Sequence, residues 1–272
     1  PTRKQIWTIA YPILISLLME NMIGLTDTAF LGRVGEVELG ASALGSVYYL
    51  VIFMLGFGFG IGAQILIARR NGEKAYALIG PLFQQGLLFL LSLATVMFVI
   101  SHTFTPMVLR SLISSDEVYE AAVSYTNWRV FGFFFAFVAI MFRAFFVGIT
   151  NTKTLTLNSI VMVLSNVVLN YVLVFGKLGL PAMGIAGAAI ASSASEMISM
   201  VFFIVYTRLR IDHRKYGLFR FAGFSSKLLR GMLNVSVWTM IQMFVAISTW
   251  FFFFIAVEHL GERPLAITNV VR

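Results

Sequence analysis

Long unbroken apolar segments dominate this sequence and limit the folds open to it. Seven occur, at 6–31, 41–68, 77–100, 119–149, 155–175, 185–206 and 228–257, and an eighth begins at Pro264. A helix needs about 20 mostly apolar residues to cross a bilayer, whereas a membrane β-barrel shows alternating strands of about 10 residues. The segments are too long and too continuously apolar for a barrel. We therefore predict an all-α fold, a polytopic bundle of transmembrane helices.

The composition also indicates lipid as the main solvent. Hydrophobic residues make up 59% of the chain and charged residues 12%, against roughly 45–50% and 25% in soluble domains. The chain has no cysteine, which excludes disulfides and thiolate metal sites. Its net charge of +8 comes largely from loops between apolar segments, which fits membrane topology better than nucleic-acid binding. No nucleophile is paired with a base, so we do not predict an enzyme.

The distribution of Lys and Arg predicts how the chain is oriented. If the segments alternate in direction, one side carries Arg3, Lys4, Arg69, Arg70, Lys74, Lys153 and the basic residues of 207–230. The other side carries only Arg33, Arg110, Lys177 and Arg263. The positive-inside rule then places the N-terminus in the cytoplasm. We expect a six-helix N-terminal lobe at 1–206, a basic cytoplasmic linker at 207–227 and the start of a second lobe at 228–272.

A weak internal repeat supports this division. The first segment ends in Leu31-Gly32 and the seventh in Leu260-Gly261, and a short polar loop and a new apolar stretch follow each. Internal repeats of this kind are common in transporters. The last apolar stretch is too short to span a bilayer, so we expect the natural protein to continue beyond Arg272.

Polar side chains form a stripe along one face of each of three apolar segments. The stripes are the pairs Glu20 and Asp27, Asn166 and Asn170, and Ser192 and Glu196. Spacings of seven or four residues put both members of a pair on one helix face. Lipid cannot hydrogen-bond such groups, so we expect the stripes to face one another or a water-filled cavity.

The chemistry of these groups suits a small cation. Asp27 offers a carboxylate, Asn166 and Asn170 offer amide oxygens and Ser192 a hydroxyl, and hard cations such as Na⁺ prefer oxygen ligands. Burial also favours the protonated form of a carboxylate, so Asp27 is a candidate proton carrier. The site is compatible with Na⁺ coupling, H⁺ coupling or both, and we predict no other metal. Asn and Ser can instead act only as interhelical hydrogen-bonding groups, an alternative that stays open for Asn166 and Ser192.

Other residues in the apolar segments have less specific interpretations. Glu20, Glu196, Gln64 and Gln242 are further candidates for polar groups in the cavity. Arg129 and Arg143 lie toward the two ends of the fourth segment, where we expect their side chains to reach the membrane interface. Close helix packing or a flexible helix is the expected role of the second segment's glycines, Gly56, Gly58, Gly60 and Gly62.

An ordered set of motifs resembles the multidrug and toxic compound extrusion (MATE) family of transporters. The motifs are Tyr11-Pro12-Ile13 through Asp27-Thr28, Gly62-Ala63-Gln64 with 69–72, the junction at 143–153, Asn166 through Gly176, and Gly184 through Ser192. The resemblance covers essentially the whole chain. It implies twelve helices in two six-helix lobes and export of drugs or other small organic, often cationic, solutes by Na⁺ or H⁺ antiport. We further expect a plasma-membrane (inner-membrane) monomer, in contact with membrane lipid, that needs no cofactor and binds no nucleic acid.

The resemblance also implies a cation site. Many prokaryotic members use an Asp on the first helix, an Asn and an Asp on the fifth, and a Thr on the sixth, which correspond here to Asp27, Asn166, Asn170 and Ser192. Asn170 therefore replaces a carboxylate and Ser192 a threonine, which leaves the coupling ion open. Some members add a Glu on the seventh helix, where this chain has only Gln242.

Two other functions are known for polytopic helical membrane proteins of this kind. A lipid-linked saccharide flippase of the same superfamily should present several cationic groups to a pyrophosphate, whereas the predicted stripes are acidic and neutral. A seven-helix receptor would have its N-terminus on the opposite side of the membrane.

Overall fold

The computed structural model describes residues 2–179, 183–221 and 223–271, without the side chains at 16, 17, 20, 21, 23, 24, 254 and 262. The described chain folds into helices joined by short loops, and no strand occurs within it. The helices are α1 (Arg3–Gly32), α2 (Glu36–Gly72), α3 (Ile79–Leu112), α4 (Asp116–Arg129), α5 (Gly132–Gly148), α6 (Lys153–Phe175), α7 (Ile185–Arg210), α8 (His213–Tyr216), α9 (Ser226–Glu258) and α10 (Glu262–Val271). A single 3₁₀ turn, Tyr76–Leu78, leads into α3. The predicted all-α fold is confirmed.

Most of these helices have the length and composition of membrane spans. Five described helices qualify individually, namely α2, α3 with its 3₁₀ turn, α6, α7 and α9. The pair α4 and α5 qualifies as a sixth span although it is bent by 50°. Helix α1 has 30 residues, about 45 Å of helix, against a hydrocarbon core of about 30 Å. The structure is therefore a membrane helix bundle, as predicted.

The fourth apolar segment, 119–149, is not the one continuous span that the sequence predicts. It breaks between Arg129 and Gly132, where α4 ends and α5 begins in a new direction. Glycine is a poor helix former, and Gly132 is also approached closely by side chains of α4 and α7. A continuous apolar sequence conceals this bend because the residues on both sides remain suitable for lipid.

Helix α2 is the central helix of the bundle and packs against α3, α4, α5, α9 and α10. Its glycines allow these approaches: Gly56 and Gly60 face α5, while Gly58 and Gly62 face α9. A Cβ atom on Gly58 would lie 2.6 Å from the Cα of Met240. Small residues at i, i+4 let helix backbones come close in membranes, so the predicted close packing is confirmed.

Helix α1 lies mainly against α6. Two threonine hydroxyls, one just before α6 and one in its first turn, bond to carbonyls of α1 near Pro12. Thr152 donates to the Ile9 oxygen at 2.9 Å and Thr156 to the Pro12 oxygen at 3.0 Å. These two bonds fix the first part of α1 on α6 and so set which residues meet further along the two helices.

Polar contacts tie α9 to the preceding helices near its C-terminal end. The Glu258 side chain is 0% exposed, and its carboxylate accepts the backbone N–H groups of Ser114 and Ser115, each at 2.9 Å. In α10, Asn269 donates to the Leu39 carbonyl at 3.0 Å. These bonds hold the end of α9 to the α3–α4 connection and the last turns of α10 to α2.

The segment before α9 is fixed at the opposite end of α3. Gln84 donates to the carbonyls of Gly217 and Leu218, both at 3.1 Å, and Gln85 donates to the Gly223 carbonyl at 2.7 Å. Residues 207–210 of the predicted linker belong to α7, so the connection itself is shorter than expected. Its backbone carbonyls are held by buried amide side chains.

The close contact between α2 and α9 can be tested by substituting Gly58. In the full natural protein, Gly58→Ala would press a methyl group against the backbone of Met240, and overpacking of this kind costs about 1–3 kcal/mol. We expect a lower thermal midpoint in detergent, measured by the fraction of monodisperse protein that survives heating.

Gly231→Ala is the matched control, because no atom lies within 4 Å of the Cβ position in this exposed turn of α9. Alanine there should leave stability unchanged or raise it by up to about 1 kcal/mol. Equal midpoints for Gly58→Ala and the unmodified protein would contradict the packing described here.

Candidate cation site

The carboxylate of Asp27 joins three helices. It lies in the last turns of α1, and its Oδ1 atom accepts a hydrogen bond from Asn170 Nδ2 of α6 at 2.7 Å. Its Oδ2 atom accepts one from the Ser192 hydroxyl of α7 at 2.9 Å. Asn170 and Ser192 are buried. The three polar stripes thus meet at Asp27, as the cost of unpaired polar groups in lipid predicts.

Asn166 lies one turn before Asn170 on α6 and completes the cluster. It is fully buried, and its Oδ1 atom accepts from Asn170 Nδ2 at 3.1 Å. Within the described part of the chain, Asn166 Nδ2 and Asn170 Oδ1 have no hydrogen-bond partner. A buried acceptor without a partner costs roughly 1–3 kcal/mol. A cation beside Asp27 is one way to satisfy the Asn170 oxygen.

The set of donor atoms fits a monovalent cation. A carboxylate, two amide oxygens and a hydroxyl oxygen offer the ligands that Na⁺ takes, and the carboxylate alone can take a proton. Amide oxygen and nitrogen are assigned from hydrogen bonding, and a half-turn of either amide exchanges them. Asn166 and Asn170 can therefore present oxygens to a cation or N–H groups to a bare carboxylate.

Glu196 is placed differently from its stripe partner Ser192. Its carboxylate forms a two-point ion pair with Arg129 of α4, with Nη2–Oε1 at 2.9 Å and Nη1–Oε2 at 3.0 Å. The side chains of Arg129 and Glu196 are 12% and 9% exposed. Glu196 is therefore neutralised by an arginine and does not line an open cavity.

The position predicted for Arg129, at the membrane interface, is wrong. Its guanidinium lies 3.6 Å from the ring centroid of Tyr49, whose hydroxyl donates to Glu196 at 2.7 Å. Ser193 donates to the Arg129 carbonyl at 3.2 Å. The cost of burying Glu196 alone was a signal that a cation lies nearby, but the spacing of 67 residues gave no indication of which one.

Gly132 makes room for this ion pair at the first turn of α5. A side chain there would collide with Glu196 Oε2 and Arg129 Nη1. The bend between α4 and α5 therefore lies at the buried ion pair, and the first turn of α5 packs against that pair.

Gln64 and Gln242 do not join the Asp27 cluster. Gln64 lines a small cavity between α2 and α5 with Phe57 and Arg143. Gln242 is exposed on α9, so it lines no cavity of the described chain, because that face of the helix has no neighbour there. The side chain of Glu20 lies outside the described residues.

Comparisons with known proteins agree with this fold. The family model MatE matches residues 12–172. A probable multidrug resistance protein NorM of Mannheimia succiniciproducens is 26% identical over 217 residues, which are 79% of this chain and 46% of that protein. The Synechocystis sp. protein of the same name is 29% identical over 218 residues, 79% of this chain and 47% of that protein. The chain thus spans about half the length of the curated relatives it matches.

A solved structure shows the same architecture. An inward-facing conformation of a multidrug resistance MATE family transporter of the MOP superfamily superposes with a TM-score of 0.80 at 20% identity, over 98% of this chain and 60% of that one. The segment that matches the family model makes up more than half of the chain, and it contains Asp27, Asn166 and Asn170. The chain belongs to the MATE family of multi-pass membrane transporters.

Proposed function

We propose that the protein exports small organic solutes, including cationic drugs and toxic compounds, in exchange for Na⁺ or H⁺. The observation that carries this proposal is the Asp27 carboxylate, held by Asn170 and Ser192 at the meeting point of α1, α6 and α7. The relatives described as probable multidrug resistance proteins support the substrate class.

Cation binding at Asp27 would change the bonds that join α1 to its neighbours. A proton or Na⁺ on the carboxylate neutralises its negative charge. This weakens the charge-assisted hydrogen bonds that Asn170 and Ser192 donate to it. The first part of α1 is held separately on α6 by Thr152 and Thr156. Occupancy of the site therefore acts on the second part of α1 while the first part stays anchored.

Coupling requires that the cation bind one transport state more tightly than the other. The same difference in free energy then makes cation and solute affect each other's binding reciprocally. In this proposal, the plasma membrane holds a monomer with two six-helix lobes, 1–206 forms the first lobe, and the N-terminus and the basic 207–227 segment face the cytoplasm.

The flippase alternative receives no support from the arginine near the candidate site. Arg129 is bound at two points by Glu196 and stacked on Tyr49. A pyrophosphate would have to displace a carboxylate from a buried pair, at a cost of several kcal/mol.

Asp27→Asn tests the coupling role directly. The change removes the charge and, with it, charge-assisted hydrogen bonds worth roughly 1.5–3 kcal/mol, so we expect the gradient-driven efflux of a cationic dye to fall about tenfold or more. The measurement uses proteoliposomes that contain the full natural protein, with a Na⁺ or H⁺ gradient imposed across the membrane.

Asp116→Asn is the matched control, because this aspartate is 75% exposed and pairs with Arg110 at the surface. Surface pairs contribute little to stability, so efflux should remain at the unmodified level. Full gradient-driven efflux by Asp27→Asn would rule out the assigned role.

Asn170→Asp tests the choice of ion. The new carboxylate lies beside Asp27, and two adjacent carboxylates hold a shared cation more tightly than one. We expect a lower half-saturating Na⁺ concentration for efflux if Na⁺ is the coupling ion. If H⁺ is coupled instead, the midpoint of the rate-against-pH curve should move to higher pH.

Asn158→Asp provides the same chemical change three turns earlier on α6. Asn158 is buried and accepts a bond from Ser199 at 2.9 Å, outside the Asp27 cluster. It should alter expression or stability without moving either ion curve. An Asn170→Asp variant with both curves unchanged would show that Asn170 does not contact the coupling ion.

A further inference from the structure

The Arg129–Glu196 pair lies one helical turn from the Asp27 site. Glu196 follows Ser192 by four residues on α7, a spacing that brings side chains within about 5–6 Å of one another. Ser192 bonds to Asp27, while Ser193 bonds to the backbone of α4 beside Arg129. The two carboxylates therefore belong to one polar region that α7 connects.

The described charges of this region do not cancel. Its ionisable groups are Asp27 on α1, Tyr49 on α2, Tyr125 and Arg129 on α4, and Glu196 on α7. Helix α6 contributes neutral amides alone, from Asn166 and Asn170. A guanidinium stays charged in proteins and phenols are neutral near pH 7. One arginine against two carboxylates leaves a single negative charge.

Geometry assigns that remaining charge to Asp27. Glu196 has both oxygens on the guanidinium and a third bond from Tyr49, so its charge is already matched. Asp27 accepts only dipolar donors, an amide N–H and a hydroxyl, among its described hydrogen bonds. Neutral donors stabilise a carboxylate without cancelling its charge.

We propose that Arg129 is a positioning residue that limits this region to one exchangeable monovalent cation, at Asp27. It does so by keeping Glu196 ionised and bound to its own guanidinium. Without Arg129, Glu196 would be a buried carboxylate with no countercharge and, in Na⁺-free buffer, would take up a proton of its own. The link to transport rests on the proposed function, whereas the charge state of Glu196 does not.

Infrared spectroscopy of the full natural protein tests the charge state. All variants are made in a Glu20→Gln background, which removes the one carboxylate of the α1 stripe whose surroundings are not described. Near neutral pH, Arg129→Gln should gain one carbonyl band of a protonated carboxylic acid relative to its parent. Arg129→Gln with Glu196→Gln should lack that band, and Arg129→Lys, which keeps the charge, should lack it too.

Three results would overturn the proposal. They are no new band in Arg129→Gln, persistence of the band in the double variant, and an equal band in Arg129→Lys. A purely structural role for the pair predicts loss of stability in Arg129→Gln without a new protonated carboxyl group.

The double variant keeps the test decisive if Arg129→Gln does not fold. Replacing both partners leaves no buried charge, and such replacements are often neutral for stability. For efflux the two replacements are made without Glu20→Gln; dye efflux should then stay within about twofold of the unmodified protein and should still be lost on adding Asp27→Asn. Loss of efflux in a folded double variant would mean that the pair does more than neutralise charge. Absence of efflux from the unmodified protein would instead refute the proposed function and leave the infrared result standing.

Discussion

The cost of a carboxylate in hydrocarbon organises the first part of this bundle. A charged group near the bilayer centre costs about 2.5–3.5 kcal/mol on insertion scales, so Asp27 must find donors on neighbouring helices. Asn170 and Ser192 provide them from α6 and α7. Near the other end of α1, Thr152 before α6 and Thr156 within it donate to carbonyls around Pro12. Polar contacts at two points roughly 22 Å apart along α1 thus fix its register on α6.

The same bundle stabilises two carboxylates in different ways. Glu196 meets an arginine at two points, an arrangement that satisfies both its charge and its hydrogen bonds. Asp27 meets neutral donors, which satisfy its hydrogen bonds and leave its charge. A matched ion pair is costly to break and therefore suits a permanent contact. A carboxylate among neutral dipoles can take and release a cation, because its partners can turn an oxygen or an N–H toward it.

The sequence predicted those features that depend on local spacing and on the cost of polarity in lipid. Apolar segments of 20 or more residues indicated the helices, and spacings of four and seven residues indicated that Asp27, Asn170 and Ser192 would converge. The Arg129–Glu196 pair was missed because its members are 67 residues apart, and Arg129 was assumed to end a straight span. The bend that brings Arg129 inward lies within apolar sequence, where Gly132 alone is a weak indication. Gln242 is exposed on α9 in the described chain, so its place in a cavity stays a prediction.

Helix α9 is attached to the rest of the bundle by two kinds of contact. Along its length it meets α2 through glycines, a contact made mostly of backbone and small groups with few polar bonds. At its ends the contacts are polar: Glu258 binds the start of α4, and Gln84 and Gln85 hold the segment before α9. Separation at either end must break hydrogen bonds to buried groups, whereas a small rocking motion along the glycines sacrifices packing alone. Helix α9 is therefore held to the bundle by close packing on α2 along its length and by hydrogen bonds at its ends.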